Sequence, residues 1–248
     1  MAAHLDRWFD ALQARHLAEL EWAEVTRALR ALSSAYVQRR EKLRSGAALE
    51  GRGKRAAFAL FYGPLHFALV SGVLEQLTAA GESVCPEWVI ADLGCGTGAG
   101  GAAWALHCGG DVRVAGYDVH PWAADEASWT YRFFNIDGVA KRADISKVRL
   151  EKGTARIAAF TLNELSAEAR ERVFNQAIGS GAPLLVIEPI SRAVTPWWDA
   201  AAAAVIARGG RSDDWKLPVD MPERWRLLDR AAGFRRDQLS ARSLWLAG

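Results

Sequence analysis

A glycine-rich turn is the clearest place in this sequence where ligand chemistry is expected. Residues 91–101 read ADLGCGTGAGG, directly after an apolar run and directly before a stretch with helical periodicity. Gly94, Gly96 and Gly98 allow the backbone to turn sharply and to approach a ligand closely. The amides at the start of the following helix have no helical partners and therefore favour a negatively charged group. The sequence predicts a small-molecule site at this turn.

Two acidic residues bear on the kind of ligand. Gly94, Gly96 and Ala99 also satisfy the dinucleotide pattern G-x-G-x-x-G/A, which keeps a nicotinamide-dependent oxidoreductase open as the less favoured alternative. Asp92 immediately precedes the turn, and Asp118 ends the next apolar run. A carboxylate at that strand end can accept both ribose hydroxyls of a nucleoside.

The elements that position these residues alternate in type after residue 81. Short apolar runs alternate with helical stretches, which is typical of a parallel sheet flanked by helices. We predict an α/β, Rossmann-like fold with a mostly parallel seven-stranded sheet, helices on both faces and an N-terminal helical cap. The predicted strands are 88–93, 112–117, 139–143, 155–162, 183–187, 234–239 and 243–247, with a helix over 222–232 before the last two.

The N-terminal part has a different pattern. Apolar residues recur every three to four positions from residue 5 to about 44, and a glycine-rich loop follows at 45–53. We therefore predict a helical cap over 1–52 and a ligand-binding domain over 53–248. The uncharged stretch 56–74 has the length of a membrane span, but Gly63-Pro64 interrupts it and helical spacing resumes afterwards, so we predict a buried helix and no membrane partner.

Composition narrows the class of protein. Of 248 residues 50% are hydrophobic and 24% charged, with a net charge of +2, as expected of a soluble globular protein with no DNA partner. Residues 27–55 are rich in Lys and Arg, which favours a solvated surface, with RNA contact as the alternative. Cys85, Cys95 and Cys108 lack metal-ligand spacing, and their odd number argues against a disulfide framework. With no secretory signal at the N-terminus, we expect a cytoplasmic protein without a bound metal.

The stretches 91–98 and 117–120 resemble the first two motifs of class I S-adenosylmethionine (SAM)-dependent methyltransferases. The resemblance implies SAM as cofactor and S-adenosyl-L-homocysteine as product. It also implies that Asp144 meets the adenine amino group and that FTLNEL, residues 160–165, lies beside the reactive methyl. The implied cofactor-binding residues are Asp92, Gly94, Cys95, Gly96, Thr97, Gly98, Asp118, Val119, His120, Asp144, Ile145, Asn163 and Tyr62.

The same resemblance suggests where methyl transfer would occur. It places Asn163 and Glu164 beside the transferred methyl, although a helix capped by Ser166 would leave both in an ordinary loop. His120 and Glu164 are the candidate bases for a hydroxyl or a protonated amine acceptor. The segment departs from the Asn-Pro-Pro-aromatic motif of enzymes that methylate exocyclic adenine or glutamine amides, so those chemistries are not expected.

A second, local resemblance concerns the ribosomal small-subunit methyltransferase-like family. It is carried by residues 162–165, Glu188-Pro189, residues 35–37 and the helix at Pro64. The cysteine cluster that follows the fifth strand in that family is missing, because no cysteine follows Cys108, so an iron-sulfur role is excluded.

The acceptor is the least determined part of the prediction. Trp197, Trp198, Trp215 and Trp225 follow the fifth predicted strand, where they either pack in the core or line an acceptor pocket. The favoured function is methyl transfer to an O or N nucleophile of a small molecule. The alternative is an RNA- or ribosome-associated methyltransferase or assembly factor that uses the basic segment 27–55.

Overall fold

The structure is a computed structural model and describes residues 2–38 and 49–248. Its sheet has seven strands in the order β3-β2-β1-β4-β5-β7-β6. β2 and β4 pair with β1 in parallel, β3 with β2 and β5 with β4, whereas β7 runs antiparallel to β5. This confirms the predicted mostly parallel α/β fold. The strands are β1 (Val89–Leu93), β2 (Arg113–Asp118), β3 (Gly138–Arg142), β4 (Ala155–Ala159), β5 (Leu184–Glu188), β6 (Arg211–Pro218) and β7 (Gln238–Leu246).

Helices precede the sheet and connect its strands. The four strand-connecting helices after β1, β2, β4 and β5 are those expected of a parallel sheet. The helices are α1 (Ala2–His16), α2 (Trp22–Gln38), α3 (Arg52–Ala57), α4 (Gly63–Ala79), α5 (Ala99–His107), α6 (Pro121–Phe133), α7 (Ala167–Ile178), α8 (Trp198–Ile206) and α9 (Glu223–Ala231).

The last two strands differ from the prediction. Residues 234–239 and 243–247 were expected to form separate strands, but residues 238–246 form β7 alone, and the remaining strand, β6, lies before α9. The sequence of β6, RSDDWKLP, is polar because most of its side chains are partly or largely exposed, so no apolar run marks it. β4 ends at Ala159 rather than at residue 162, because Phe160 has a φ of 58°, outside the range of a strand.

One long apolar helix runs through α3 and α4. A π-helical turn, Phe58–Tyr62, joins the two, so the expected interruption at Gly63-Pro64 does not occur. Pro64 cannot donate the N–H that a helix interior uses, and the helix widens directly before it. By length and composition alone, Arg52–Ala79 is the one helix in the described chain that could cross a membrane; 72% of its most apolar window is buried, as predicted for a packed helix.

The chain divides into two compact units. The first comprises Met1–Ala68 and Pro218–Leu239, and the second Leu69–Leu217 and Ser240–Gly248. The core on one face of the sheet belongs to the second unit and includes Val186, Leu244 and Trp198. The predicted division at residues 52 and 53 stays a prediction. Part of the basic segment 27–55, with Arg39, Arg40, Lys42 and Arg44, lies outside the described residues, as do residues 45–48 of the predicted loop 45–53.

A disulfide joins Cys85 to Cys108, with 5.4 Å between their Cα atoms, and Cys95 is a buried free thiol. The expectation of no disulfide was wrong. Cys85 lies in the loop before β1 and Cys108 ends α5, so their proximity comes from packing that cysteine counting does not reveal. The cytoplasmic location stays a prediction.

Candidate functional site

The glycine loop leaves β1 and enters α5 in left-handed turns. Gly94, Gly96 and Gly98 have φ values of 69°, 51° and 79°, which only glycine adopts without strain. A Cβ at Gly94 would lie 2.3 Å from Thr161 Cγ2, and one at Gly98 would lie 2.9 Å from Ala127 Cα. Gly98 is the N-cap of α5 and no side chain caps the helix there. The loop therefore needs these glycines, as the sequence predicted.

Asp118 ties the end of β2 to the glycine loop. Its Oδ2 accepts a hydrogen bond from Gly96 N at 3.0 Å, and its Oδ1 accepts one from His120 N at 2.8 Å. Burial raises the pKa of the Asp118 carboxyl, while these two amides lower it. A carboxylate has about four acceptor positions, so about two remain for hydroxyl donors. The arrangement suits a ribose diol held beside partly exposed Gly94 and Gly96.

Asp92 lies beneath the loop rather than at its surface. It is 2% exposed, and its Oδ2 accepts hydrogen bonds from Gly101 N at 2.8 Å and from Tyr131 Oη at 3.3 Å. Burial raises the pKa of its carboxyl to about 7, and the nearby Asp118 adds to the rise. Asp92 thus fixes the first turn of α5 and places negative charge under the loop, and direct contact with a ligand stays a prediction.

The segment after β3 contains Asp144 and Ile145, which the sequence predicts to lie near the adenine ring of the cofactor. Asp144 is exposed, and its Oδ1 accepts hydrogen bonds from Ser146 N and Oγ at 3.0 and 2.7 Å. The Ser146 bonds hold the pKa of Asp144 below its ordinary value. An aspartate in a loop commonly caps a turn in this way, so contact of Asp144 with an adenine amino group stays a prediction. Ile145 is buried and Val119, at the end of β2, is 54% exposed, so Val119 offers an apolar surface beside Asp118.

Two of the predicted cofactor residues have buried side chains, and a third, Tyr62, belongs to the first compact unit. The side chains of Cys95 and Thr97 are buried, so a ligand in the loop can reach them only through the backbone. Tyr62 belongs to the first unit, where its hydroxyl lies 3.4 Å from Ser33 Oγ.

The loop after β4 adjoins the glycine loop through Thr161. Thr161 Oγ1 donates to Gly94 O at 3.3 Å, which brings the start of the Leu162–Glu164 turn next to the glycines. Phe160, directly before it, has a positive φ of 58°, a conformation that costs a non-glycine residue energy and is concentrated at functional sites. The predicted approach of Asn163 to the glycine loop is therefore supported by a direct contact between the two segments.

Glu188, at the end of β5, fixes Asn163. Its Oε1 accepts from Asn163 N at 3.1 Å, and its Oε2 accepts a short hydrogen bond from Asn163 Nδ2. Glu188 is fully buried, and burial raises its pKa to about 7 against the lowering effect of the Asn163 bonds. With Nδ2 held at Glu188, the Asn163 side chain has its Oδ1 and its second Nδ2–H left for other partners. The sequence indicates Glu188 only through its local resemblance, and it carries no signal for this positioning role.

The two candidate bases follow two different strands, His120 after β2 and Glu164 after β4. His120 is the N-cap of α6, and its ring centroid lies 6.2 Å from that of Trp122. Glu164 is half-buried in the turn that contains Asn163. Ser166 caps α7 by accepting from Ala169 N at 3.2 Å, so the predicted cap exists and coexists with the Asn163–Glu188 pair. The roles of His120 and Glu164 as bases stay predictions.

Comparison with known proteins gives structural matches. No protein-family model matches the chain, and no curated protein matches it. The mitomycin 7-O-methyltransferase MmcR aligns with a TM-score of 0.54 at 14% identity, over 97% of this chain and 72% of that chain. The plantazolicin methyltransferase BpumL, solved with S-adenosylhomocysteine (SAH), aligns with a TM-score of 0.50 at 10% identity, over 96% and 100%. Magnesium protoporphyrin IX methyltransferase from Synechocystis PCC 6803, solved with SAM, aligns with a TM-score of 0.49 at 15% identity, over 90% of this chain and 97% of that chain.

The topology agrees with these matches. A dinucleotide-binding sheet of the Rossmann type has six strands in the order 3-2-1-4-5-6. Here a seventh strand, antiparallel to β5, lies between β5 and β6. The chain therefore has the fold of the class I SAM-dependent methyltransferases.

Proposed function

We propose that this protein is a SAM-dependent methyltransferase. The observation that carries the proposal is the hydrogen bond of 3.0 Å between Gly96 N and Asp118 Oδ2, which joins a glycine loop to a carboxylate at adjacent strand ends. Together they offer backbone donors for a carboxylate and acceptors for a ribose diol, the two polar ends of SAM.

Charge favours SAM over a dinucleotide. Asp118 lies close enough to Asp92 to raise the pKa of the Asp92 carboxyl, and burial raises the pKa of both carboxyls. A cationic ligand relieves the repulsion between two such carboxylates, whereas a pyrophosphate increases it. SAM carries a positive sulfonium, and a nicotinamide dinucleotide brings a negative pyrophosphate to the loop.

The residues after β4 and β5 would place the acceptor. SAM supplies an electrophilic methyl group on its sulfonium. Glu188 accepts from the backbone N–H and from one side-chain N–H of Asn163, which orients the amide and leaves Oδ1 to accept a hydrogen bond from an acceptor hydroxyl or amine. Such a site works largely by holding the reacting groups in line and excluding water. His120 and Glu164 are the residues we propose for removing a proton from the acceptor where one must leave.

We propose a small-molecule acceptor with an O or N nucleophile. Trp197 and Trp198 follow β5 with their ring centroids 5.7 Å apart, and the Arg170 guanidinium lies 5.3 Å from the centre of the Trp197 ring. Trp198 is buried in the core, so the half-buried Trp197 is the ring of this pair that offers a surface suited to a small organic acceptor. Of the basic segment, Arg52 pairs with Glu19 and Arg55 donates to a backbone carbonyl, so these two charges are partly engaged within the protein. We retain cytoplasmic location as part of the proposal.

Transfer of a labelled methyl group tests the proposal. The purified protein is incubated with methyl-tritiated SAM and either a panel of hydroxyl- and amine-bearing small molecules, total RNA or ribosomal subunits. We expect labelled small-molecule product, and we expect Asn163→Ala to lower turnover while SAM binding by calorimetry stays within a few-fold of wild type. Asn175→Ala, at an exposed position of α7, is the matched control and keeps full turnover. Label in RNA alone establishes the alternative function, and absence of both SAM binding and transfer contradicts the proposal.

A further inference from the structure

A groove of about 250 Å³ lies in the second unit, beside the carboxyl end of β5. Its walls come from the segment after β5, from α8 and from strands β6 and β7. Arg242 on β7 pairs directly with Glu188 on β5, so the groove adjoins the strand end that fixes Asn163. The lining residues are Arg192, Trp198, Asp199, Ala202, Ser212, Asp213, Asp214 and Arg242.

Arg242 is a buried cation with unused donors. It is only 5% exposed, and its guanidinium lies 5.0 Å from the centre of the Trp198 ring. Its Nε is 3.4 Å from Asp214 Oδ1, an ion-pair distance without hydrogen-bond geometry. Within residues 2–38 and 49–248, neither Nε nor Nη1 has a hydrogen-bond acceptor. Buried charged groups are ordinarily hydrogen-bonded, so Nε and Nη1 of Arg242 can bind an acceptor atom of a ligand in the groove.

The acidic residues of the groove do not accept the unpaired N–H groups of Arg242. Both oxygens of Asp213 are taken by Arg211, whose Nε and Nη2 donate at 2.7 and 2.8 Å. The Asp214 side chain is 58% exposed, where water screens its attraction for Arg242. Asp199 and Arg192 are both exposed at the rim and have opposite charges. The buried charge that faces the groove is therefore the cation of Arg242.

An oxyanion matches this arrangement. A carboxylate or phosphate can accept two N–H bonds from one guanidinium, and such charge-assisted pairs are short and strong. The Arg242 guanidinium already lies over the Trp198 ring and the side chain is buried, so little side-chain freedom is lost when an anion binds. A cation would instead meet Arg242 and leave its donors unpaired.

We propose that the groove is the subsite for a carboxylate or phosphate group of the methyl acceptor, held by Arg242 and, at the rim, by Arg192. The proposal rests on the methyltransferase function proposed above. Residues directly opposite in an antiparallel pair have Cα atoms about 5 Å apart. Arg242 is opposite Glu188, which holds Asn163, so an acceptor anchored here has its remaining atoms within a small molecule's length of Asn163.

Arginine side-chain NMR tests the subsite without turnover. The whole chain is labelled with ¹⁵N-arginine and titrated with inorganic phosphate and, separately, with acetate, while the Nε–H signals are followed. We expect a saturable shift of the Arg242 signal, and the more strongly bound of the two anions indicates whether the acceptor carries a phosphate or a carboxylate. No shift with either anion overturns the proposal.

Variants locate the binding. Arg192→Gln, at an exposed position, is expected to weaken anion binding roughly 10-fold and Arg242→Gln roughly 10- to 100-fold, the effect of losing charge-assisted hydrogen bonds. Arg208→Gln is the matched control at an exposed arginine that follows α8, and it leaves binding unchanged. If Arg242→Gln does not fold, the wild-type titration and Arg192→Gln decide. An equal loss in Arg208→Gln overturns the proposal, because it reports attraction to surface charge.

Calorimetry with SAM separates the two proposals. We expect Arg192→Gln and Arg242→Gln to bind SAM as the wild type does, because the groove lies outside the glycine loop. If the wild type binds anions at Arg242 but does not bind SAM, the methyltransferase function fails and the anion site stands as a site of another kind. If it binds SAM but no anion at Arg242, the subsite alone is wrong.

Discussion

Replacement of Asp92 by asparagine tests the electrostatics beneath the glycine loop. The carboxyl of Asp92 has a pKa of about 7 in the folded protein, mainly because burial disfavours its charged form, against 3.8 for the exposed group. Between these values the folded chain retains a proton that the unfolded chain has lost. The free energy of unfolding of the wild type therefore falls as pH rises from about 4 to about 7.

The magnitude follows from the size of the shift. Three pKa units correspond to about 4 kcal/mol. An asparagine at position 92 has no proton to lose, and its Oδ1 can still accept from Gly101 N and Tyr131 Oη. We therefore expect Asp92→Asn to gain stability relative to the wild type by about 4 kcal/mol between pH 4 and pH 8, with the gain complete above pH 7.

The assay is urea unfolding followed by tryptophan fluorescence, for wild type and Asp92→Asn, at intervals from pH 4.5 to pH 8.5. Asp144→Asn is the control, because hydrogen bonds from Ser146 lower the pKa of Asp144 from 3.8, so its effect on stability changes only below about pH 4 and its difference from the wild type stays constant over this range. A difference between Asp92→Asn and wild type that does not change with pH, or that shrinks as pH rises, refutes the reasoning.

Three further predictions follow from the local geometry. Gly94→Ala should lower the free energy of unfolding by about 2 to 4 kcal/mol in thermal or urea unfolding, because the new Cβ collides with the Thr161 side chain. Gly109→Ala is the control, with a similar φ but open space around it, and should lower the free energy of unfolding by less. Equal losses in the two variants would contradict the steric explanation. Glu188→Gln keeps one acceptor for Asn163 and loses the other, so kcat should fall roughly 5- to 100-fold with little change in the KM for SAM. The wild-type kcat should also fall as pH drops below about 7, because Glu188 gains a proton there. If Glu188→Gln shows the same pH dependence, Glu188 does not act by holding Asn163. Reduction of the disulfide, which spans 23 residues, should lower the free energy of unfolding by about 3 kcal/mol, and an unchanged melting temperature after thiol treatment would show that the bond does not constrain the chain.

The sequence predicts the parts of the site that depend on local backbone chemistry. The glycine loop and Asp118 lie at the ends of consecutive apolar strands, and strands β1 and β2 pair in parallel, so their carboxyl ends meet. β1, β4 and β5 were likewise predictable, because strands buried on both faces leave nearly continuous apolar runs, whereas the mostly exposed β3 gives a weaker pattern.

The rest depends on contacts that are distant in sequence. Glu188 holds Asn163 across 25 residues, and nothing in either segment alone indicates the pairing. The sequence does not predict β6, because the exposed side chains of this strand give it a polar sequence. It does not predict the disulfide, because two separate segments must pack together before Cys85 and Cys108 can meet.

Calorimetric titration with SAM tests the central claim most directly, that the Gly96–Asp118 contact forms the cofactor site. We expect one SAM bound per chain and no binding of NAD. Asp118→Ala should weaken SAM binding by about 1 to 3 kcal/mol, while Asp137→Ala, at an exposed ion pair with Arg113 near the opposite end of β2, should bind as the wild type does. Absence of SAM binding, or an affinity that Asp118→Ala leaves unchanged, would contradict the account.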